Sequence, residues 1–429
     1  MNNVFGDHLR AWSGAIGKPA AIMLLVSVGI LPTIPSASVL IAYGAFLLMA
    51  VQNRFRFQGH PGLWLTPFPW MAALFLWHVA GMAWTANTGF GLFDLQIKLP
   101  LLVFPLLALF VPVPAWRGRN LLLFVFSIAS AMMVVVCTVA AIVRIGTGST
   151  LSPMQEIFSS YWSLALHPSY FALYLSVAIA AWCMLPIHRW LPRVWSVAVL
   201  LSLCLGVVLS ASKIGWILFL PLLIALGVMR WHDTFVRKTL LGMGLFSVAG
   251  IVVLVAASPY ARDRVQEMIR ASSGGYDDPG TVTSSEVRWL TWGTAWELFK
   301  RDPITGTGTG DIKDELVRAY EVHGYTGAAE KRLNAHNQFL QMGACLGVSG
   351  LLALIATFLV PLFTQRPLDP LLAIFLLLNA LNQLVESMLE VQAGAVFFSL
   401  FAVLLCWKDE APDLRPPSPT IRSAHRPIS

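Results

Sequence analysis

Several residues stand where their side chains could do chemistry. His336 lies in Asn334-Ala335-His336-Asn337-Gln338, at the mouth of an apolar run. A neutral imidazole is the side chain best suited to accept a proton near pH 7. Arg288, in Ser285-Glu286-Val287-Arg288-Trp289, could hold an anion or form a surface ion pair with Glu286. Lys213 follows Ser210-Ala211-Ser212 at the start of another apolar run. A lysine there either snorkels to an interface or faces an anionic head group. His167, in His167-Pro168-Ser169-Tyr170, reads as a helix-start residue before proline or as a second imidazole at the same face. Asn379, Asn382, Gln383, Glu386 and Glu390 recur at spacings that put most of them on one helix face. Charged residues inside an apolar run are costly and normally face a protein interior or a wet cavity. Arg262, Arg264 and Arg270 could form a cationic wall, or pair with Asp263 and Glu267.

Other chemistries have little support. The chain has no Asp-x-Asp, no His-x-x-His and no cysteine cluster, and its five cysteines read as small packing residues. Asp277-Asp278 is the nearest candidate for holding a cation, and it carries little weight. No metal and no other cofactor is therefore expected. Without a metal, Arg and Lys would have to stabilise any anionic leaving group. The run Thr305-Gly306-Thr307-Gly308-Thr309-Gly310 lacks the Lys-Ser/Thr of a phosphate loop, so it reads as a tight turn between two helices.

The elements that carry these residues must lie in a bilayer. The chain has 429 residues, 57% of them hydrophobic and 12% charged, with mean hydropathy +0.69. A soluble domain carries about 25% charged residues. A cytosolic enzyme, a disordered chain and a disulfide scaffold are excluded on these figures. A crossing needs about 20 apolar residues. Twelve spans are expected, near 19–32, 36–51, 64–84, 95–112, 120–144, 166–186, 192–210, 213–229, 238–257, 336–364, 369–389 and 391–407. The first resembles a signal peptide but reads as an uncleaved helix. The expected fold is therefore all-α and polytopic.

Charge supplies the orientation. With the N-terminus inside, the inner segments hold 16 of the 29 Lys and Arg residues. The short outer segments hold only Lys98, Arg144 and Lys213, all at span ends. Both termini are thus expected in the cytoplasm. The excess of +7 is topological, not a nucleic-acid signal. The chain divides into helices 1–9 (1–257), an outer loop domain (258–335), helices 10–12 (336–407) and a disordered tail (408–429). Within the loop, the apolar spacing predicts one helix over 286–300, stopped by Asp302-Pro303, and a second over 312–322 capped by Asp311.

The order Ser210-Ala-Ser212-Lys213, Ser285-Glu-Val-Arg288-Trp, Asp302-Pro303-Ile-Thr-Gly306-Thr-Gly308-Thr-Gly310 and Ala335-His336-Asn337-Gln-Phe-Leu340 resembles the O-antigen ligase and polymerase superfamily over roughly residues 160–400. The resemblance implies a glycosyltransferase fold of the GT-C type in the Gram-negative inner membrane. It implies metal-free, inverting transfer of O-antigen from undecaprenyl pyrophosphate to lipid A–core on the periplasmic side, in lipopolysaccharide biosynthesis. The implied partners are the two lipids and the membrane, with no nucleic acid. Arg288 and His336 match the family's catalytic motifs. The family usually has Arg where this chain has Lys213, which keeps the charge but loses the bidentate fork. Arg262, Arg264, His167, Asn337 and Glu386 are candidates for substrate binding. The short 145–165 loop and the inside C-terminus favour a ligase over a polymerase or a protein O-oligosaccharyltransferase. A transporter, from a different class, predicts internal repeats and broken helices.

Overall fold

The computed structural model describes residues 18–30, 35–52, 54–57, 63–110, 119–158, 161–164, 166–272, 280, 285–365 and 367–406. Asp277, Asp278 and the tail lie outside them, as do the side chains of Arg264 and Arg270. All regular structure among the described residues is helical. In chain order the helices are α1 Lys18–Ile30, α2 Pro35–Gln52, α3 Phe68–Gly81, α4 Thr88–Lys98, α5 Pro100–Ala108 and α6 Arg119–Gly146. They continue as α7 Pro153–Ile157, α8 Pro168–Met184, α9 Arg193–Leu209, α10 Lys213–Met229, α11 Thr234–Ala257 and α12 Pro259–Ser272. The last are α13 Glu286–Arg301, α14 Ile312–Val322, α15 Thr326–Glu330, α16 Gln338–Thr364, α17 Pro370–Gln383 and α18 Gln392–Cys406.

Each expected span coincides with an apolar helix or helix pair. Among the described residues, four helical stretches are long and apolar enough to cross a membrane: Thr88–Ala108, Arg119–Gly146, Thr234–Ala257 and Gln338–Thr364. The others are shorter. The apolar residues divide between an inner and an outer surface. Helices α8 and α18 are buried nearly all round and form the centre. Tyr174 ties them together, stacking on Phe397 at 3.9 Å and donating to the Ala393 carbonyl at 2.8 Å. By contrast, α11 buries only Val236, Leu240 and Ser247, and leaves Leu241, Leu245, Val252 and Val253 exposed. Apolar residues facing outward in this number suit a hydrocarbon solvent, not water.

One departure concerns the expected span 95–112. Its helix begins earlier, at Thr88, and Pro100 starts a second segment. Lys98 is consequently not a rim residue but a fully buried one. A second departure is the break in α16. Gly347 has φ +67, so the helix is interrupted there. The Gly run docks into the gap. Thr307 N–H donates to Ala344 O and Gly308 N–H to Cys345 O, both at 2.9 Å. Trp77 Nε1 donates to Leu346 O at 3.2 Å, and Val348 N–H donates to Pro303 O at 2.8 Å. The polar groups exposed by the break are therefore satisfied, as a buried interruption requires. The run is a turn, as expected, but its N–H groups serve a helix and not an anion.

Glycine is required at two of these positions. A Cβ on Gly306 would stand 2.4 Å from Cys345 O, and one on Gly347 would stand 2.2 Å from Ile304 O. Both also have positive φ. Gly347→Ala is expected to cost about 1–3 kcal/mol from backbone strain alone, with the clash adding to it. The thermal unfolding midpoint in detergent measures this; an unchanged midpoint would contradict the broken-helix geometry.

Candidate functional site

At one end of the bundle, three separate chain segments meet around a single carboxylate. Arg288 sits in the first turn of α13, which forms because Val287, Leu290, Ala295 and Leu298 bury one face. His336 immediately precedes α16. Glu386 was expected on the helix of span eleven, but that helix ends at Gln383 and the carboxylate belongs to the non-helical segment beyond it. The expected polar face survives only as far as Asn379, Asn382 and Gln383, all buried. Arg288 Nη2 donates to Glu386 Oε1 at 2.6 Å, and its Nε donates to the Val385 carbonyl at 3.0 Å. Ser169 Oγ donates to the same Oε1 at 2.9 Å. His336 Nδ1 faces Oε2 at 3.5 Å, the outer limit of a hydrogen bond. The expected surface pairing of Arg288 with Glu286 is thus replaced by a largely buried one with Glu386.

The exposures are graded in a useful way. The Glu386 side chain is 4% exposed, that of Arg288 17% and that of His336 25%. The carboxylate lies behind, and the guanidinium and imidazole lie in front. Burial disfavours a charged carboxylate, and the Arg288 guanidinium and the Ser169 hydroxyl offset that cost by donating to it.

His336 has φ +46, uncommon for a residue with a side chain. The conformation is fixed from several sides. Trp292 Nε1 donates to the His336 carbonyl at 3.2 Å, and the His336 N–H donates to Asn334 Oδ1 at 3.0 Å. Asn337 caps α16, its Oδ1 accepting from Phe339 and Leu340 N–H, while its own N–H donates to Ser387 Oγ at 3.1 Å. Asn337 therefore caps the helix through its Oδ1.

Lys213 starts α10, with Ser212 as its cap. Its Nζ lies 2.9 Å from Glu267 Oε2 and donates to Ser285 Oγ at 2.7 Å. Ser285 is the residue that precedes α13, one turn before Arg288, so the two cations flank one helix start. His167 is exposed before α8, its ring centroid 5.5 Å from that of Tyr170. Arg262 is exposed and donates back to the Ala256 carbonyl at 2.8 Å. The Arg264 side chain lies outside the described residues. Asp311 is a further departure. It makes no side-chain cap on α14; its carboxylate instead accepts from Ala86 and Asn87 N–H at the start of α4.

Sequence reasoning missed Ser169 and the buried group that Asp94, Lys98 and Gln338 form with Glu390. Lys98 Nζ lies 2.5 Å from Asp94 Oδ1 and 3.0 Å from Glu390 Oε2. The i,i+4 spacing of Asp94 and Lys98 at the head of an apolar run was a readable signal of an ion pair. Among the described residues, no three His, Cys, Asp or Glu side chains are grouped to hold a metal.

No curated protein matches the chain. Residues 197–355, which carry Lys213, Arg288, the Gly run and His336, match the family model described as O-antigen ligase. That stretch is similar to the O-antigen ligase family, and it holds Lys213, Arg288 and His336.

Proposed function

We infer that the protein is an inverting, metal-independent glycosyltransferase of the inner membrane. It transfers O-antigen polysaccharide from undecaprenyl pyrophosphate to lipid A–core, with twelve spans, both termini in the cytoplasm, a GT-C-type fold and a periplasmic loop domain at 258–335. The observation that carries the reading is the convergence of Arg288 and His336 on the buried Glu386. The single large outer loop favours ligation over polymerisation.

The geometry divides the labour. Glu386 faces Nδ1 of His336, so a proton on that nitrogen leaves Nε2 with its lone pair for the acceptor hydroxyl. The deprotonating oxygen attacks the anomeric carbon while the pyrophosphate leaves on the opposite side. Arg288, with Lys213 one turn away along α13, stabilises the charge that develops on the leaving group. Both cations already have carboxylate neighbours, Glu386 and Glu267. These carboxylates keep the cations satisfied before the lipid arrives; the donor's phosphates compete with Glu267 for Lys213.

The test is transfer between the two purified lipids by the protein in vesicles, followed by gel mobility of the product. No transfer at all overturns the reading. The same assay in excess EDTA is expected to run within about twofold of the untreated rate, since a side-chain mechanism draws nothing from a divalent ion. Complete loss, restored by Mg²⁺ or Mn²⁺, rules out metal independence. In cells lacking the protein, polymerised glycan should collect on its lipid carrier at the outer face; collection at the inner face would favour a flippase.

A further inference from the structure

The segment from Leu384 to Val391 is not α-helical, although it lies between two packed helices. The last i→i−4 bond of the preceding helix runs from Glu386 N–H to Asn382 O at 3.0 Å, and beyond it the backbone closes only i→i−3 turns at Glu390 and Val391, yet the segment carries Glu386, on which Arg288 and His336 both depend. Something else must set its position. Two ties join it to the residues that follow His336. Asn337 N–H donates to Ser387 Oγ at 3.1 Å. One residue on, Gln338 grips the segment twice: its Oε1 accepts from Leu389 N–H at 2.7 Å, and its Nε2 donates to Glu390 Oε1 at 3.0 Å. The other oxygen of Glu390 meets the Lys98 ammonium at 3.0 Å. Lys98 is fully buried and is held in turn by Asp94, so the chain of contacts ends on α4.

A wholly buried lysine between two carboxylates is expensive to place and is a weak source of stability. Its ordering effect is stronger. Bidentate Gln338 fixes the distance between the start of α16 and the 384–391 segment, which is the distance between His336 and Glu386. Lys98 fixes where that assembly sits against the bundle.

We propose that Gln338, Glu390 and Lys98 are positioning residues for glycosyl transfer, holding the His336 imidazole against Glu386 from behind the site. They do not touch substrate. The inference rests on the glycosyltransferase reading above. Displacing a catalytic group by about 1 Å costs up to a hundredfold in rate without weakening substrate binding.

The test uses Gln338→Met, which keeps the volume and leaves the Lys98 ion pairs in place, and Lys98→Met as a second variant. Purified protein in vesicles is assayed for kcat and for KM with each lipid, alongside thermal unfolding. Gln338→Met is expected to lose about tenfold to a hundredfold in kcat, with both KM values within about twofold and a lowered unfolding midpoint from the orphaned Leu389 N–H and Glu390 oxygen that leaves the protein folded at the assay temperature. Lys98→Met, where it folds, should show the same split. A Gln338→Met kcat within twofold of the parent overturns the proposal, as does a fall no larger than its loss of folded protein. His336→Ala and Arg288→Ala run in parallel. If those two transfer normally, the underlying reading has failed; if they are inactive while Gln338→Met is normal, only the positioning role has.

Discussion

His336→Ala is expected to lower the rate of transfer by about 10²–10⁴-fold, the usual contribution of a positioned general base. The fold should survive. Among the described residues, the imidazole's only close polar contact is the 3.5 Å approach to Glu386, and the bonds that fix this residue run through its backbone N–H and carbonyl. Alanine keeps both and carries the same Cβ, so the strain at φ +46 does not change. The effect should therefore fall on kcat, with KM for the donor nearly constant, because a base acts in the transition state and not in ground-state binding. Initial rates on purified protein, with a matched unfolding curve, measure it. A loss below tenfold in a correctly folded variant removes His336 from the role of base.

Arg288→Ala should be as damaging for two separable reasons. Loss of a charge aimed at a leaving group costs about 10²–10³-fold in rate. Removing one partner of a buried ion pair also costs about 3–5 kcal/mol, because Glu386 is left charged and unpaired. The double variant Arg288→Ala with Glu386→Gln distinguishes the two. It should regain most of the unfolding midpoint and none of the transfer. Recovery of both would show that Arg288 serves only to neutralise Glu386. Arg288→Lys keeps the charge but cannot donate at once to Val385 O and Glu386, so an intermediate rate is expected.

The apolar helices were legible because burial in lipid and protein demands long hydrophobic runs, and no local accident disguises those. The α13 and α14 helices were legible from spacing, and Arg288 and His336 from their motifs. Three features were not. Glu386 looked helical because its spacing continues the polar face of α17, but nothing in the side-chain pattern marks where backbone bonding stops. Lys98 looked like a rim residue because hydropathy places a charge at the nearest span end. Its true place depends on Glu390, almost three hundred positions away in the chain. Asp311 had the position of a helix cap, yet its carboxylate is taken by the N–H groups of Ala86 and Asn87. In each case a partner distant in sequence overrode a local preference.

The break at Gly347 constrains how the chain is made. During synthesis the Gly run leaves the ribosome before α16 does. Until the run docks, the carbonyls of Ala344 and Cys345 lack the partners they have in the finished protein, and the Leu346 carbonyl and Val348 N–H wait likewise on Trp77 and Pro303. Each unsatisfied group costs several kcal/mol in hydrocarbon. Helix α16 therefore cannot settle into lipid as an independent unit. The Gly run and Trp77 must both be in place, so the settling of this helix and the docking of the run into its break form a single assembly step.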